Sequence, residues 1–355
     1  MQKLIGKTLT VLFIMWIIVS SGLRPIHSSR HRLNQSSIIH SRQIGEIPVN
    51  DTWNITDFEL LENQNIILNG SIIIHSNGTL LIVNSTIYFN LNKHLEYNIT
   101  VLDGGNLTII NSTITSLNPP YSFFIHIEEG GYLKIENSLI EYAGHKNQKA
   151  AIIVETNFTA IINTIFNNSC GILLHNAHHG LIINNTIHSE NYGVQLINST
   201  NNEIVNNSIV SPYGILLNIS THNNISSNNL TNGGLLVLGD TQHFNNSIEN
   251  NKVNLRDIVY IYNQTNLTVN YGGQIIIALS KNVTVANITS LQNLSVCIEV
   301  AYSENITIYH NQMQNSMHGI LIIRTKYSDI HENNISDCVS AINITASTDI
   351  KVCLL

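Results

Sequence analysis

Charge is scarce in this sequence. Only 11% of its 355 residues are Asp, Glu, Lys or Arg, and Lys plus Arg number 16. With a formal net charge of −7 and no basic stripe interleaved with aromatics, nucleic acid is excluded as a partner. Aromatics are thin at 6% and mostly Tyr, so the core must be aliphatic. Ala, Glu and Lys are too sparse for an array of helices, whereas β-branched residues dominate. Four cysteines (Cys170, Cys297, Cys338, Cys353) include no Cys-x-x-Cys and form no disulfide framework, which leaves them as isolated small hydrophobes. What the chain has in excess is Asn, about one residue in seven.

Those Asn fall in a repeat. Gly171-Ile172-Leu173-Leu174 followed by Ile182-x-x-Asn185-x-Ile187 returns as Gly193-Val194-Gln195-Leu196 with Ile204-x-x-Asn207-x-Ile209. It returns again as Gly214-Ile215-Leu216-Leu217 with Ile225-x-x-Asn228-x-Leu230, so the glycines are spaced 22 and 21 residues apart. A period near 20 with alternating apolar runs marks a solenoid built of strands. A leucine-rich repeat of similar length needs a Leu-x-x-Leu-x-Leu frame, which is missing. The spacing predicts an all-β, single-stranded, right-handed parallel β-helix with three short strands per coil and like residues stacked about 4.8 Å apart.

The Asn of the frame is expected at the corner between two strands, because Asn tolerates the left-handed conformation and stacked amides can hydrogen-bond as a ladder. The frame places Asn163, Asn185, Asn207, Asn228, Asn251, Asn311 and Asn333 on that ladder. These residues resemble the right-handed parallel β-helix repeats of the NosD-like and carbohydrate-binding and sugar-hydrolysis (CASH) type, a branch of the pectin-lyase-like fold, over roughly residues 50 to 352. The resemblance speaks for architecture more than for function, since such folds host many chemistries.

Along the chain, residues 1–23 read as an export signal or signal anchor: Lys3 and Lys7, an apolar run from Leu9 to Val19, then Ser20-Ser21-Gly22. Residues 24–48 read as a linker. A longer period of 26–27 residues governs 49–148, where Gly78-x-Leu80-x-Ile82-x-Asn84-Ser85-x-Ile87 returns from Gly105 and from Gly131. Regular coils of 20–24 residues occupy 149–256, and 257–292 break the rhythm as an irregular or inserted coil on the same axis. Regular coils resume over 293–355 and end in mid-coil, as a fragment or truncated product would.

Roughly two dozen Asn-x-Ser/Thr sequons occur, among them Asn54, Asn84, Asn184, Asn198, Asn206, Asn218, Asn229, Asn282, Asn305, Asn334 and Asn343. Ladder Asn are excluded by the repeat itself: the second residue after each of Asn185, Asn207, Asn228, Asn251, Asn311 and Asn333 is an apolar core position. Sequons therefore belong to neighbours that face solvent, and sugars there would cover the coil surface if the host glycosylates exported proteins.

Chemistry is harder to find. Pectinolytic and epimerising relatives place paired carboxylates with Lys or Arg on one face, and glycosidic cleavage needs two carboxyls within about 10 Å. Only eight Asp occur here, with no Asp-Asp, Asn-Thr-Asp or Gly-His-Gly. Arg324-Thr325-Lys326 looks like the Arg-x-Lys element of polygalacturonases but lacks local carboxylate partners. The carboxylates worth watching are Asp103, Glu128, Glu129 and Glu141, in loops of the longer coils. NosD-like proteins are associated with copper, which draws attention to the histidines: His175, His178, His179 and His188 gather in one coil, and His310 with His331, nearly adjacent in neighbouring coils, are the metal candidates. His179 and His222 should lie two coils apart, too far for one ion.

The expected function is a non-catalytic extracellular β-helix that presents a polar, glycosylated face to polysaccharide or cell-surface glycan. It needs no cofactor, and it touches a membrane only through an uncleaved N-terminal segment. The alternatives are a polysaccharide lyase, hydrolase or epimerase, or a NosD-like periplasmic accessory to a copper site.

Overall fold

The computed structural model describes residues 50–146 and 148–353. The segments read from sequence as an export signal (1–23) and a linker (24–48) lie outside the described residues. Within them the chain is a parallel β-solenoid of about 14 turns, and no helix is long and apolar enough to cross a membrane. In the first nine coils the chain visits three sheets in fixed order, starting with Trp53–Ile55, Phe58–Glu62 and Asn65–Leu68 and ending with Leu235–Leu238, Ser247–Glu249 and Lys252–Val253.

Strand alternation turns every second side chain inward, and parallel register then piles like on like. One inner column runs Ile55, Ile74, Val101, Ile127, Val154, Leu174, Leu196, Leu217, Val237, each paired with the next. All nine are fully buried. A second column runs from Leu61 through Ile82, Ile109, Ile135, Ile161, Ile182, Ile204 and Ile225 to Ile248. Burying each such side chain is worth roughly 1.5–3 kcal/mol.

The corners need a different device, because the backbone there leaves the ladder and its buried N–H and C=O groups still need partners. Two consecutive residues share the task. The first is exposed and left-handed: Asn84, Asn111, Asn137, Asn163, Asn184, Asn206 and Asn250 have φ between 49° and 57°. The second is buried and carries the hydrogen bonds. The ladder Asn are therefore not the left-handed residues, as the sequence suggested; their predecessors are, and this frees the ladder side chain to point inward.

The ladder also starts one residue later than expected. Asn163 is exposed at φ 50°, and the ladder position in that coil belongs to buried Thr164, whose N–H donates to Asn185 Oδ1 at 2.8 Å. Below it, Ser85, Ser112 and Ser138 do the same work in the longer coils. The frame Ala160-x-x-Asn163 mimics Ile182-x-x-Asn185 while being displaced by one.

At the ninth coil the direction changes. Lys252–Val253 pairs antiparallel with Arg256–Tyr262 through a two-residue turn in which Asn254 and Leu255 both have positive φ (50° and 66°), the hairpin geometry that matches strand twist. The strands that follow, Gln274–Ala278, Val296–Ala301, His318–Ile323 and Ser340–Thr345, stack parallel on Arg256–Tyr262. Residues 257–292 are thus the start of a second stack running opposite in strand direction, rather than one irregular coil continuing the first. The new stack buries both faces of Gln274–Ala278 and Val296–Ala301, because their outer face lies against the end of the first stack.

Candidate functional site

The end of the first stack and the flank of the second border a shallow, open cleft of about 410 Å³, lined by Thr241, Asn263, Leu279, Lys281, Tyr302, Glu304, Arg324 and Lys326 among others. Register brings these residues together. Leu279, Tyr302 and Arg324 hold the same left-handed corner in three successive coils (φ 52°, 51° and 47°). Lys281, Glu304 and Lys326 share the rung just beyond it. In the first stack the corresponding corner carries Asn176, Asn198 and Ile219. Bulky side chains in that conformation cost about 1–2 kcal/mol each.

Arg324 reaches across the junction. Its Nη1 lies 3.1 Å from Asp240 Oδ1 and 3.2 Å from Tyr302 Oη, and its guanidinium carbon sits 5.6 Å from the Tyr302 ring centroid. Tyr302 Oη donates to Gly239 O at 3.0 Å and lies 3.2 Å from Asp240 Oδ1. Burial, helped by Asp240, pushes the phenol up. Lys281 Nζ meets Glu304 Oε1 at 3.0 Å. The carboxylate partner that Arg324-Thr325-Lys326 lacked in sequence is Asp240, 84 residues away.

A second polar cluster lies on the outer face of the first stack. Glu155 Oε2 is 2.9 Å from His126 Nε2 and Oε1 is 3.0 Å from His175 Nδ1. Hydrogen bonds from His175 and then His126 hold the Glu155 carboxyl below the usual carboxylate range. Glu128 occupies the rung beside Glu155 in the preceding coil, since Ile127 pairs with Val154. Of the other watched carboxylates, Asp103 and Glu129 share an exposed corner one coil apart, and Glu141 accepts from Asn167 Nδ2 at 3.0 Å on a different sheet.

The histidines disperse. His178 meets Thr200 Oγ1 at 2.9 Å, His179 stacks on exposed Phe158, and His188 stands on the third sheet. His179 and His222 do hold one corner two coils apart. His310 Nε2 is 2.5 Å from Glu332 Oε2, while His331 Nδ1 is 3.8 Å from that oxygen and its ring stacks on Tyr309. Among the described residues no group of three or more His, Cys, Asp or Glu is arranged to hold a metal.

Asn185, Asn207, Asn228 and Asn251 form one buried amide ladder, and Asn311 and Asn333 form another in the second stack. A third ladder, Asn202–Asn223–Asn246, was missed, although its spacings of 21 and 23 residues stood in the sequence. Sequon residues Asn54, Asn84, Asn184, Asn198, Asn206, Asn229, Asn282, Asn305 and Asn334 are exposed, and Asn218 and Asn343 are half-buried.

Residues 97–253 match the family model described as right handed beta helix region. No curated protein matches the sequence at a significant level. Among solved structures, the periplasmic alginate epimerase AlgG is similar at 16% identity over 82% of this chain and 78% of that chain, with a TM-score of 0.51. The catalytic domain of a GH87 α-1,3-glucanase in complex with nigerose aligns at 10% identity, covering 82% and 64% of the two chains, with a TM-score of 0.46. PfbA, a surface adhesin of Streptococcus pneumoniae, aligns at 12% identity over 80% and 85%, with a TM-score of 0.36. At these identities the likeness is one of fold alone. With their aliphatic columns, parallel register and corner ladders, the described residues form a right-handed parallel β-solenoid, the fold of the family that residues 97–253 match.

Proposed function

We propose that this protein is an exported β-helix that binds acidic carbohydrate in the cleft at the junction of its two stacks and does not transform it. The observation that carries this reading is the convergence of Lys281, Arg324 and Lys326 on one cleft walled by Tyr302. Three cations against Asp240 and Glu304 leave the cleft net positive on a chain of net charge −7. Arg324 uses only one nitrogen on Asp240 and Tyr302, which leaves guanidinium donors free for a ligand carboxylate or sulfate. A shallow trough with both charged side chains and an aromatic wall suits a sugar, which has hydroxyls and apolar ring faces. Export through the N-terminal segment, a place outside the cell or in a periplasm, and glycans on exposed sequons belong to the same proposal.

Calorimetric titration with hexagalacturonate and with a neutral hexasaccharide of equal length tests it. The acidic sugar should bind and the neutral one should bind at least tenfold more weakly, with Arg324→Ala costing the acidic sugar about tenfold. No heat from either sugar at millimolar concentration, or an unchanged affinity in the Arg324 variant, overturns the reading.

One observation favours the enzymatic alternative. Glu155, flanked by two imidazoles, with Glu128 on the adjoining rung, is a carboxylate–histidine set on an exposed face. If the protein depolymerises or epimerises a polysaccharide, Glu155→Gln abolishes turnover while leaving binding at the cleft intact; polysaccharide left unchanged by the wild type removes this reading.

A further inference from the structure

A strand at the end of a parallel stack has nothing to bond on its outer edge. In Leu235–Leu238, the last strand of its sheet in the first stack, the N–H and C=O groups of Leu235 and Val237 face where a tenth coil would lie. Side chains meet the N–H and C=O of Leu235 and the N–H of Val237 instead. Gln274 Oε1 accepts from Leu235 N at 2.8 Å and its Nε2 donates to Leu235 O at 2.7 Å and to Val296 O at 2.8 Å. Glu299 Oε2 accepts from Val237 N at 3.3 Å. Gln274 and Glu299 stand on the same outward face of neighbouring strands.

The two differ in one respect. Gln274 offers a donor and an acceptor, as the missing backbone would. Glu299 is fully buried, and its Oε1 has no partner. An ionised carboxylate has acceptors only, and burying one without a cation is costly. The surroundings supply none: Leu235–Leu238 and Gln274–Ala278 carry no titratable group. The turn Thr241–Phe244 contributes buried His243, which bonds to Asp240 N. Arg256–Tyr262 contributes Tyr260, bound to Phe244 O, and Tyr262, while its first two residues, Arg256 and Asp257, are exposed and Arg256 bonds to Thr289 O. His318–Ile323 contributes His318 alone, and Cys297 lies on the strand of Glu299 itself.

We propose that Glu299 is a proton-operated latch, its neutral carboxyl closing the edge of the first stack onto the second and its ionisation releasing that edge. Burial pushes this carboxyl up to about 8. Since the folded value is raised, the closed junction is fully stable below the unfolded carboxylate range and loses stability as pH rises through the folded value. The latch is also a regulator of the cleft. Val237 lies three residues before Asp240, and Glu299 three before Tyr302, so opening the edge moves one wall of the cleft against the other. That regulatory half rests on the reading of the cleft as a ligand site; the latch itself does not.

Hydrogen exchange of the segments 233–240 and 296–302, corrected for the intrinsic pH dependence of exchange, tests the latch in the full chain. Between pH 5.5 and 8.5 the wild type should lose tenfold or more in protection, and Glu299→Gln, which keeps a donor and an acceptor, should lose none. Should that variant not fold, Glu299→Met removes the titration and retains the bulk, with the same expectation of a flat profile. A wild type with no pH-dependent loss, or a variant that loses as much as the wild type, overturns the proposal. Affinity for hexagalacturonate at the two pH values reads the coupling separately: it should fall at pH 8.5 in the wild type alone, and equal falls in both proteins overturn it. Absence of sugar binding at either pH counts against the cleft reading and removes the coupling with it, while the exchange result still decides the latch.

Discussion

Asn207 and Asn228 lie in successive coils, and one oxygen of the second serves the first twice: Asn228 Oδ1 accepts from the Asn207 backbone N–H and from its Nδ2, both at 3.0 Å. Asn207 in turn serves Asn185 in the same manner and donates to Ile182 O at 2.8 Å. Its exposed neighbour Asn206 makes the left-handed turn. Two adjacent residues of the same kind therefore carry different loads.

Replacing Asn207 by Ala strands two buried donors and one buried acceptor and should cost about 2–4 kcal/mol. Asn206→Ala forfeits only a backbone preference, on the order of 1 kcal/mol, and Asn206→Gly should be close to neutral. Urea unfolding of the three variants checks the order; equal losses at 206 and 207 would break the assignment of ladder and turn.

Leu255 is 81% exposed at φ 66° in the hairpin that joins the stacks. It pays a left-handed penalty with no packing in return. Leu255→Gly should stabilise the protein by about 0.5–1 kcal/mol, the strain relieved exceeding the added chain entropy. A thermal midpoint unchanged or lowered by the substitution would contradict the turn geometry.

Glu155 titrates in the opposite sense to Glu299. Its carboxyl is depressed by His175 and then His126, so its contribution is present above the unfolded carboxylate range and is lost as pH falls through the folded value. The side chain is 34% exposed, which limits the effect to under about 1 kcal/mol. Wild type should exceed Glu155→Gln in stability at pH 6 and match it near pH 3. A gap that persists at pH 3 would mean the loss is one of packing.

The thiols should sort by depth. Cys297 is buried and pushed up to about 12, and Cys170 to about 11, whereas Cys353 is exposed. Since the thiolate is the reactive form, iodoacetamide at pH 8 should label Cys353 first, Cys338 more slowly, and Cys170 and Cys297 only on unfolding. Peptide mapping over time reads this directly.

The fold was legible because strand alternation and a constant period leave few alternatives: Ile182, Ile204 and Ile225 stack as their spacing required. The corners were half legible, since Asn184 and Asn185 are the same letter and only burial tells the turn residue from the ladder residue. The reversal at Asn254-Leu255 was hidden because hairpins of this kind are announced by Asn-Gly, and Leu at the second position gives no such sign. The cleft could not be read at all. Arg324 meets Asp240 across 84 residues and between two stacks, and a motif search sees neighbours in sequence rather than in space.

A crystal structure of the protein soaked with hexagalacturonate would locate the ligand. The expected result places a sugar carboxylate within hydrogen-bonding distance of the Arg324 guanidinium, with Tyr302 along the sugar ring and Lys281 or Lys326 on the next residue of the chain. Sugar bound on the outer face around Glu155, or nowhere in a crystal that diffracts well, would contradict the assignment of the junction cleft as the binding site.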